Sequence, residues 1–344
     1  MADRSSSRER KVRGTKIRTD RQAKGNRRAK KTAKRIGTRG NDGGGSRAEN
    51  GDAPLTDPDD VEPDPFVATD EVAAIRRRIT GWLAADQPVH LIGPTGSGKT
   101  ALALSAAAER GRPVVRVDGD ESVDTAALVG DYAGGERYEE DDRFVSGVHK
   151  HTEIVRQRWV DNPLSVAVRE GATLVYNEFS RSPPAAHNVL LSVLEEGVLE
   201  RPGKRGADRS IDVHPEFRVL VTSNTAEYAG VHDQQDALLD RFVGVGLEYY
   251  GSETEREIVS AHVGLSDEDV DRVVSSTRRL REEVDVVVGT RAAITAANGL
   301  AVFGGEDDGT EDEPLVDVFT DVLAPKVAGN GDLADLRETI ERTL

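Results

Sequence analysis

Gly93-Pro94-Thr95-Gly96-Ser97-Gly98-Lys99-Thr100 decides the fold, because it fits the spacing G-x-x-x-x-G-K-[ST] and is flanked by the two elements that spacing needs. Val89-His90-Leu91-Ile92 before it has the apolar character of a buried strand, and Ala101-Leu102-Ala103-Leu104-Ser105-Ala106-Ala107-Ala108 after it reads as a helix. Strand, glycine-rich turn and helix in that order aim backbone N–H groups at a helix N-terminus, where phosphate oxygens are held. In this geometry Lys99 reaches the β- and γ-phosphates and Thr100 places its hydroxyl on Mg2+, while the glycines let backbone approach the ligand. The bland alternative is a glycine-rich turn. A chance match in a chain of this length has a probability of roughly one per cent, and the flanking strand and helix lower it further.

With 344 residues, 37% of them hydrophobic, the chain has room for two ordinary domains. No run approaches the length of a membrane span, and Met-Ala-Asp-Arg-Ser-Ser-Ser-Arg at the start has no apolar stretch behind its charges. Cysteine is absent, which excludes disulfides, thiolate catalysis and Cys-based zinc sites, and a cytoplasmic location fits. Charge is segregated: residues 1 to 50 hold 17 Lys/Arg against 5 Asp/Glu, a net of +12, and the remainder carries −28. Lys99, Lys150, Lys204 and Lys326 are the only lysines after residue 50. Excess carboxylate with scarce lysine resembles cytosolic proteins of salt-accumulating halophiles, where the Debye length falls to about 3 Å.

Residues 1 to 65 are polar, charged and turn-rich, the composition of a disordered tail. From Thr69, Val72, Ile75, Ile79, Trp82 and Leu83 recur at helical spacing. The runs 114–117, 172–176, 218–221 and 243–247 join 89–92 as five short strands separated by helical patterns, which predicts a parallel sheet flanked by helices, an α/β fold over 66–250. Polar, Gly-rich residues 131–149 read as a loop insertion or lid. Five helical segments, roughly 252–263, 266–284, 290–303, 314–327 and 331–343, make 251–344 a smaller all-α lid domain.

With these motifs in order, residues 69 to 300 resemble the MoxR-like branch of the AAA+ ATPases, and within it the gas vesicle protein N family. The resemblance implies an ATP-hydrolysing P-loop AAA+ protein using Mg2+, assembled into a homo-oligomeric, hexameric ring. It also implies action on other gas vesicle proteins as a remodelling or loading ATPase, and association with gas vesicles. Asn177-Glu178 follows strand 172–176 where the family has Asp-Glu, so Glu178 takes the place of the general base that polarises the attacking water. Asn177 departs from the pattern. Its amide oxygen can accept from a Mg2+-bound water but brings no negative charge, so Asn177→Asp is expected to strengthen metal dependence. Asn224, ending strand 218–221, matches the sensor-1 position that orients the water.

Arg241, in Leu239-Asp240-Arg241-Phe242, matches the family's arginine that projects into a neighbouring subunit's site, a reading favoured over that of a helix-end arginine on the dipole. Arg291, after Gly289-Thr290, resembles the sensor-2 arginine. Arg181, in Phe179-Ser180-Arg181-Ser182-Pro183-Pro184, is a second candidate for an intersubunit phosphate contact or a solvated loop arginine, with Ser182 as cap of a helix opened by prolines. Two other functions stand beside this one: a nucleotide switch with little hydrolysis, motivated by Asn177, and a DNA-associated regulator, motivated by the basic tail. Residues 1 to 50 contain no Phe, Trp or Tyr to stack on bases, and molar salt suppresses phosphate contacts, which argues against nucleic acid.

Overall fold

The structure is a computed structural model that describes residues 15–16, 55–142, 150–224, 236–304, 313–327 and 333–344. Five short strands, β1 (Val89–Gly93), β2 (Val114–Asp118), β3 (Thr173–Asn177), β4 (Arg218–Asn224) and β5 (Val243–Gly246), form one sheet in the order β5-β1-β4-β3-β2. Every pairing in it is parallel. Val89, Leu91, Leu174, Val175, Val219 and Leu220 are fully or almost fully buried, which is why β1, β3 and β4 carry near-continuous apolar segments, while the edge strands β2 and β5 expose alternate positions such as Arg116 and Gly244.

Helix α1 (Asp70–Ala84) starts at Thr69, whose hydroxyl accepts from the Val72 N–H. Its Val72, Ile79 and Leu83 pack with Leu102, Ala103, Ala106 and Ala107 of α2 (Lys99–Glu109) over the centre of the sheet. The alanines let α2 approach β3 and β4 closely. Trp82, expected on the same stripe, is 42% exposed, while its neighbour Leu83 stays fully buried. Helices α3 (Pro163–Glu170) and α4 (Asn188–Glu195) follow, α3 packing on β2 and β3.

The all-α region consists of α5 (Ser252–His262), α6 (Asp267–Glu283), α7 (Thr290–Phe303), α8 (Glu313–Val327) and α9 (Leu333–Thr343). Its separate core joins Val259, Val270, Val273, Leu280, Ala293, Ala297, Phe319, Leu323 and Ile340. In α6 the buried positions Val270, Val273, Val274, Thr277 and Leu280 follow one helical stripe, while the opposite face carries the acidic and arginine residues.

Two sequence expectations change. Leu55 to Pro65, assigned to the tail, belong to the body: Thr56 bridges Val114 on β2, and Glu62 pairs with Arg76 of α1 and accepts from Ser105 of α2. The rest of the proposed tail, 1–14 and 17–54, lies outside the described residues. The stretch read as a loop insertion contains strands instead, Gly130–Asp142 lying between Lys150–Asp161 and the short antiparallel Thr15–Lys16. Within this separate unit Tyr132 and Trp159 meet edge to face at 5.2 Å.

Candidate functional site

The strand order puts β4 between β1 and β3, so three loops leave the sheet side by side at its carboxyl edge. Register fixes the neighbours: Gly93 stands opposite Asn224, and Asp118 opposite Asn177. Ligands in open α/β sheets bind at this edge. A cleft of about 350 Å³ opens there, lined by the phosphate loop, Asn177, Glu178, Asn224 and the start of α7.

Within the loop, Gly96 and Gly98 adopt positive φ of 81° and 82°, where a side chain would be strained. The carbonyls of Thr95 and Gly96 turn outward: the first accepts from the Tyr249 hydroxyl at 3.2 Å, the second from the Thr290 N–H at 3.1 Å. Lys99, at the first turn of α2 and 7% exposed, donates to Gly93 O at 2.9 Å and Pro94 O at 2.7 Å. Burial pulls its ammonium down to about 8, partly countered by the Glu178 carboxylate and reinforced by the Arg291 cation.

Across the cleft, the Thr100 hydroxyl donates to Asn177 Oδ1 at 2.6 Å although the two residues lie 77 positions apart. The Thr222 hydroxyl donates to the same oxygen at 2.7 Å and accepts from the Glu178 N–H at 3.1 Å. Thr222 was not singled out in the sequence. Glu178 has φ 51°, an uncommon backbone for a non-glycine residue and one of two such positions among the described residues. Its carboxylate is held by Arg181 at 2.5 Å.

The loop is also fastened to the all-α region. Glu255 of α5 is fully buried and accepts from Arg281 at 2.7 Å, Arg278 at 3.0 Å and the Thr290 hydroxyl at 3.1 Å. Arg281 lies over the Tyr249 ring at 3.9 Å, and Tyr249 is the residue bonded to Thr95. Arg291 lines the cleft one residue further along α7. The opposite wall is apolar, formed by Pro63, Pro65, Phe66, Val72, Tyr250 and Ile258. Phe66 and Val67 precede α1 as an apolar pair, the one signal in the sequence for this wall.

The remaining arginine is elsewhere. Arg241 follows the turn Asp236–Leu239, pairs with Glu195 of α4, and does not line the cleft. Ser182 does not cap a helix; its oxygen instead accepts from the buried Tyr176 hydroxyl at 2.8 Å, and Pro184 opens a short 3-10 turn without a side-chain cap.

Comparison with known proteins agrees with this geometry. Residues 88–242 match the AAA domain (dynein-related subfamily). The gas vesicle ATPase GvpN of Haloferax mediterranei is 53% identical, covering 99% of this chain and 97% of the relative. The chain belongs to the GvpN family of gas vesicle ATPases. A second haloarchaeal GvpN, GvpN2 of Halobacterium salinarum, is 54% identical over 98% of this chain and 96% of its own length. A bacterial GvpN from Ancylobacter aquaticus is 40% identical over 79% and 77%. As a GvpN family member the chain is a P-loop ATPase of the AAA+ class, and the acidic, lysine-poor body fits its haloarchaeal relatives. Among the described residues no helix is long and apolar enough to cross a membrane.

Proposed function

We propose that this chain is a Mg2+-dependent ATPase that acts in gas vesicle formation, remodelling or loading other vesicle proteins from a homo-oligomeric ring in the cytoplasm. The observation that carries the reading is the convergence of Lys99, Thr100, Asn177 and Glu178 on one cleft from two loops of the sheet. The glycine cradle and Lys99 suit a triphosphate, and the paired oxygens of Thr100 and Asn177 suit a hydrated hard cation. When bound, Mg2+ neutralises charge on the β- and γ-phosphate oxygens. Lys99 exchanges its two carbonyl partners for phosphate oxygens. Glu178 takes a proton from the water that attacks the γ-phosphorus, as the bond to the β-phosphate oxygen breaks and ADP and phosphate form. Arg181 must release Glu178 Oε2 first, before that oxygen can accept from the attacking water.

Asn224 is placed to orient the attacking water, and Arg291 reports the γ-phosphate to the all-α region. Arg241, away from its own cleft, is assigned to a neighbouring subunit's site. Co-assembly tests this sharing: Arg241→Ala mixed with Lys99→Ala subunits should recover activity that neither has alone, because the second variant still lends Arg241 to an intact phosphate loop. Confirmed assembly without any recovery would remove the shared site. In vesicle-forming cells, a chain carrying Glu178→Gln should give no vesicles and retain its vesicle-protein partners on capture. Normal vesicles would refute a role for hydrolysis in their formation.

A further inference from the structure

Asn177 poses a chemical question. An amide side chain has the same shape whichever way its oxygen and nitrogen point, so its neighbours determine the orientation. On one side lie the hydroxyls of Thr100 and Thr222, at 2.6 Å and 2.7 Å from Oδ1. Hydroxyls both donate and accept, so they tolerate either orientation. On the other side Asn177 Nδ2 donates to Asp118 Oδ1 at 3.1 Å. A carboxylate only accepts, so of the three partners Asp118 alone admits one orientation.

Asp118 is the last residue of β2, brought opposite Asn177 by the strand register and separated from it by 59 positions in sequence. The same Asp118 oxygen also accepts from Arg116 of β2, at 2.9 Å and 3.2 Å, which holds the carboxylate in place along its own strand. Turned around, Asn177 would set its oxygen against that carboxylate and present N–H groups to the cation side of the cleft.

We propose that Asp118 is a positioning residue for the metal side of the site. It aims Asn177 Oδ1 at the Thr100 hydroxyl and carries, one strand away, the negative charge that Asn177 lacks. The inference rests on the ATPase reading above and adds a consequence opposite to the expectation from sequence. Asn177→Asp does not simply restore a missing charge, because the new carboxylate would replace a donor with a like charge against Asp118. The acid and the amide are an exchangeable pair: with Asp118→Asn added to Asn177→Asp, the new amide on β2 donates to the new carboxylate on β3 and the contact is kept in reverse.

The test is Mn2+ binding to the full-length protein with ADP in molar KCl, followed by water-proton relaxation, with ADP affinity measured separately in EDTA. Asp118→Ala should raise the Mn2+ half-saturation concentration roughly tenfold, in the range found when partners behind metal ligands are removed. ADP affinity in EDTA should stay within twofold. Asp118→Asn should raise the half-saturation too but by less, since its amide oxygen can still accept from Asn177 while the negative charge is lost. Asn177→Asp alone should bind Mn2+ no more tightly than the wild type, and adding Asp118→Asn should recover wild-type or tighter binding. Because the Asp118 side chain is 58% exposed, these variants should fold. An unchanged half-saturation in Asp118→Ala overturns the proposal while leaving the nucleotide reading intact. So does tighter Mn2+ binding by Asn177→Asp that Asp118→Asn does not improve. A wild type that binds no ADP in EDTA defeats the nucleotide reading and this proposal with it.

Discussion

Gly289→Ala is expected to weaken ATP binding while leaving the fold intact. Gly289 has φ −94° and ψ 175°, a conformation open to any residue, so the backbone itself does not demand glycine. The demand comes from contact. A Cβ there would lie 2.7 Å from Thr95 O and 2.9 Å from Gly96 Cα, both backbone atoms of the phosphate loop. Relief needs a separation of about half an ångström or more between the start of α7 and the loop, which stretches the 3.1 Å bond from Thr290 N to Gly96 O. Overpacking of this kind costs about 1–3 kcal/mol. Borne by the closed, nucleotide-holding arrangement, that is a loss of roughly 5- to 150-fold in affinity. Titration with a fluorescent ATP analogue in molar KCl measures it, with Gly264→Ala, whose Cβ meets nothing within 4 Å, as the control. A Gly289→Ala protein that is folded and binds within threefold of wild type would show that the contact between α7 and the loop does not govern binding.

Glu255→Ala should lower unfolding stability by about 3 kcal/mol, because it leaves the largely buried Arg281 cation facing a buried hole, while the half-exposed Arg278 can turn to water. A denaturant midpoint shifted by the equivalent of less than about 1 kcal/mol would show that Glu255 does not hold Arg281 and Thr290 in place. His90, buried against Ser223, has its basicity pushed down to about 4 by desolvation. The unfolded chain therefore takes up a proton between pH 6.5 and 4 that the folded one does not, and stability present above pH 6.5 falls by up to on the order of 3 kcal/mol. His90→Gln should lose less stability over that window, and an identical loss in both proteins would exclude His90 as a source. With −28 on residues 51–344, lowering salt from about 1 M to 0.01 M lengthens screening from about 3 Å to 30 Å and should unfold the body. Equal stability at both salts, measured by circular dichroism, would contradict this.

The sheet was legible because its central strands are buried on both faces, so the segments Leu174-Val175-Tyr176 and Val219-Leu220-Val221 appear as short apolar runs, while the edge strand Val114–Asp118 keeps Val114, Val115 and Val117 despite exposing Arg116. The five helices after Ser252 were legible from their stripes, Val270, Val273 and Val274 of α6 among them. What was hidden depends on register and on partners distant in sequence. Asp118 meets Asn177 only because β2 and β3 pair as they do, and nothing in Val117-Asp118-Gly119 marks it. Leu55 to Pro65 looked like tail because proline and aspartate dominate its composition, yet Thr56 and Glu62 bond the body. The strand Gly130–Asp142 is polar and carries Gly134-Gly135, so no alternation announces it. Arg181 reads as a phosphate-contact candidate or a solvated loop arginine, and neither reading announces its pairing with Glu178.

The central claim is that this cleft hydrolyses ATP with Lys99 binding the phosphates and Glu178 acting as base. Parallel measurement of ATP binding and phosphate release in molar KCl, for wild type, Lys99→Ala and Glu178→Gln, tests it most directly. Lys99→Ala should lose binding, and Glu178→Gln should bind ATP as the wild type does while releasing phosphate at least a hundredfold more slowly, within the roughly 10²–10⁴-fold span of general-base catalysis. Unchanged phosphate release from Glu178→Gln, or ATP affinity within threefold of wild type in Lys99→Ala, would contradict it.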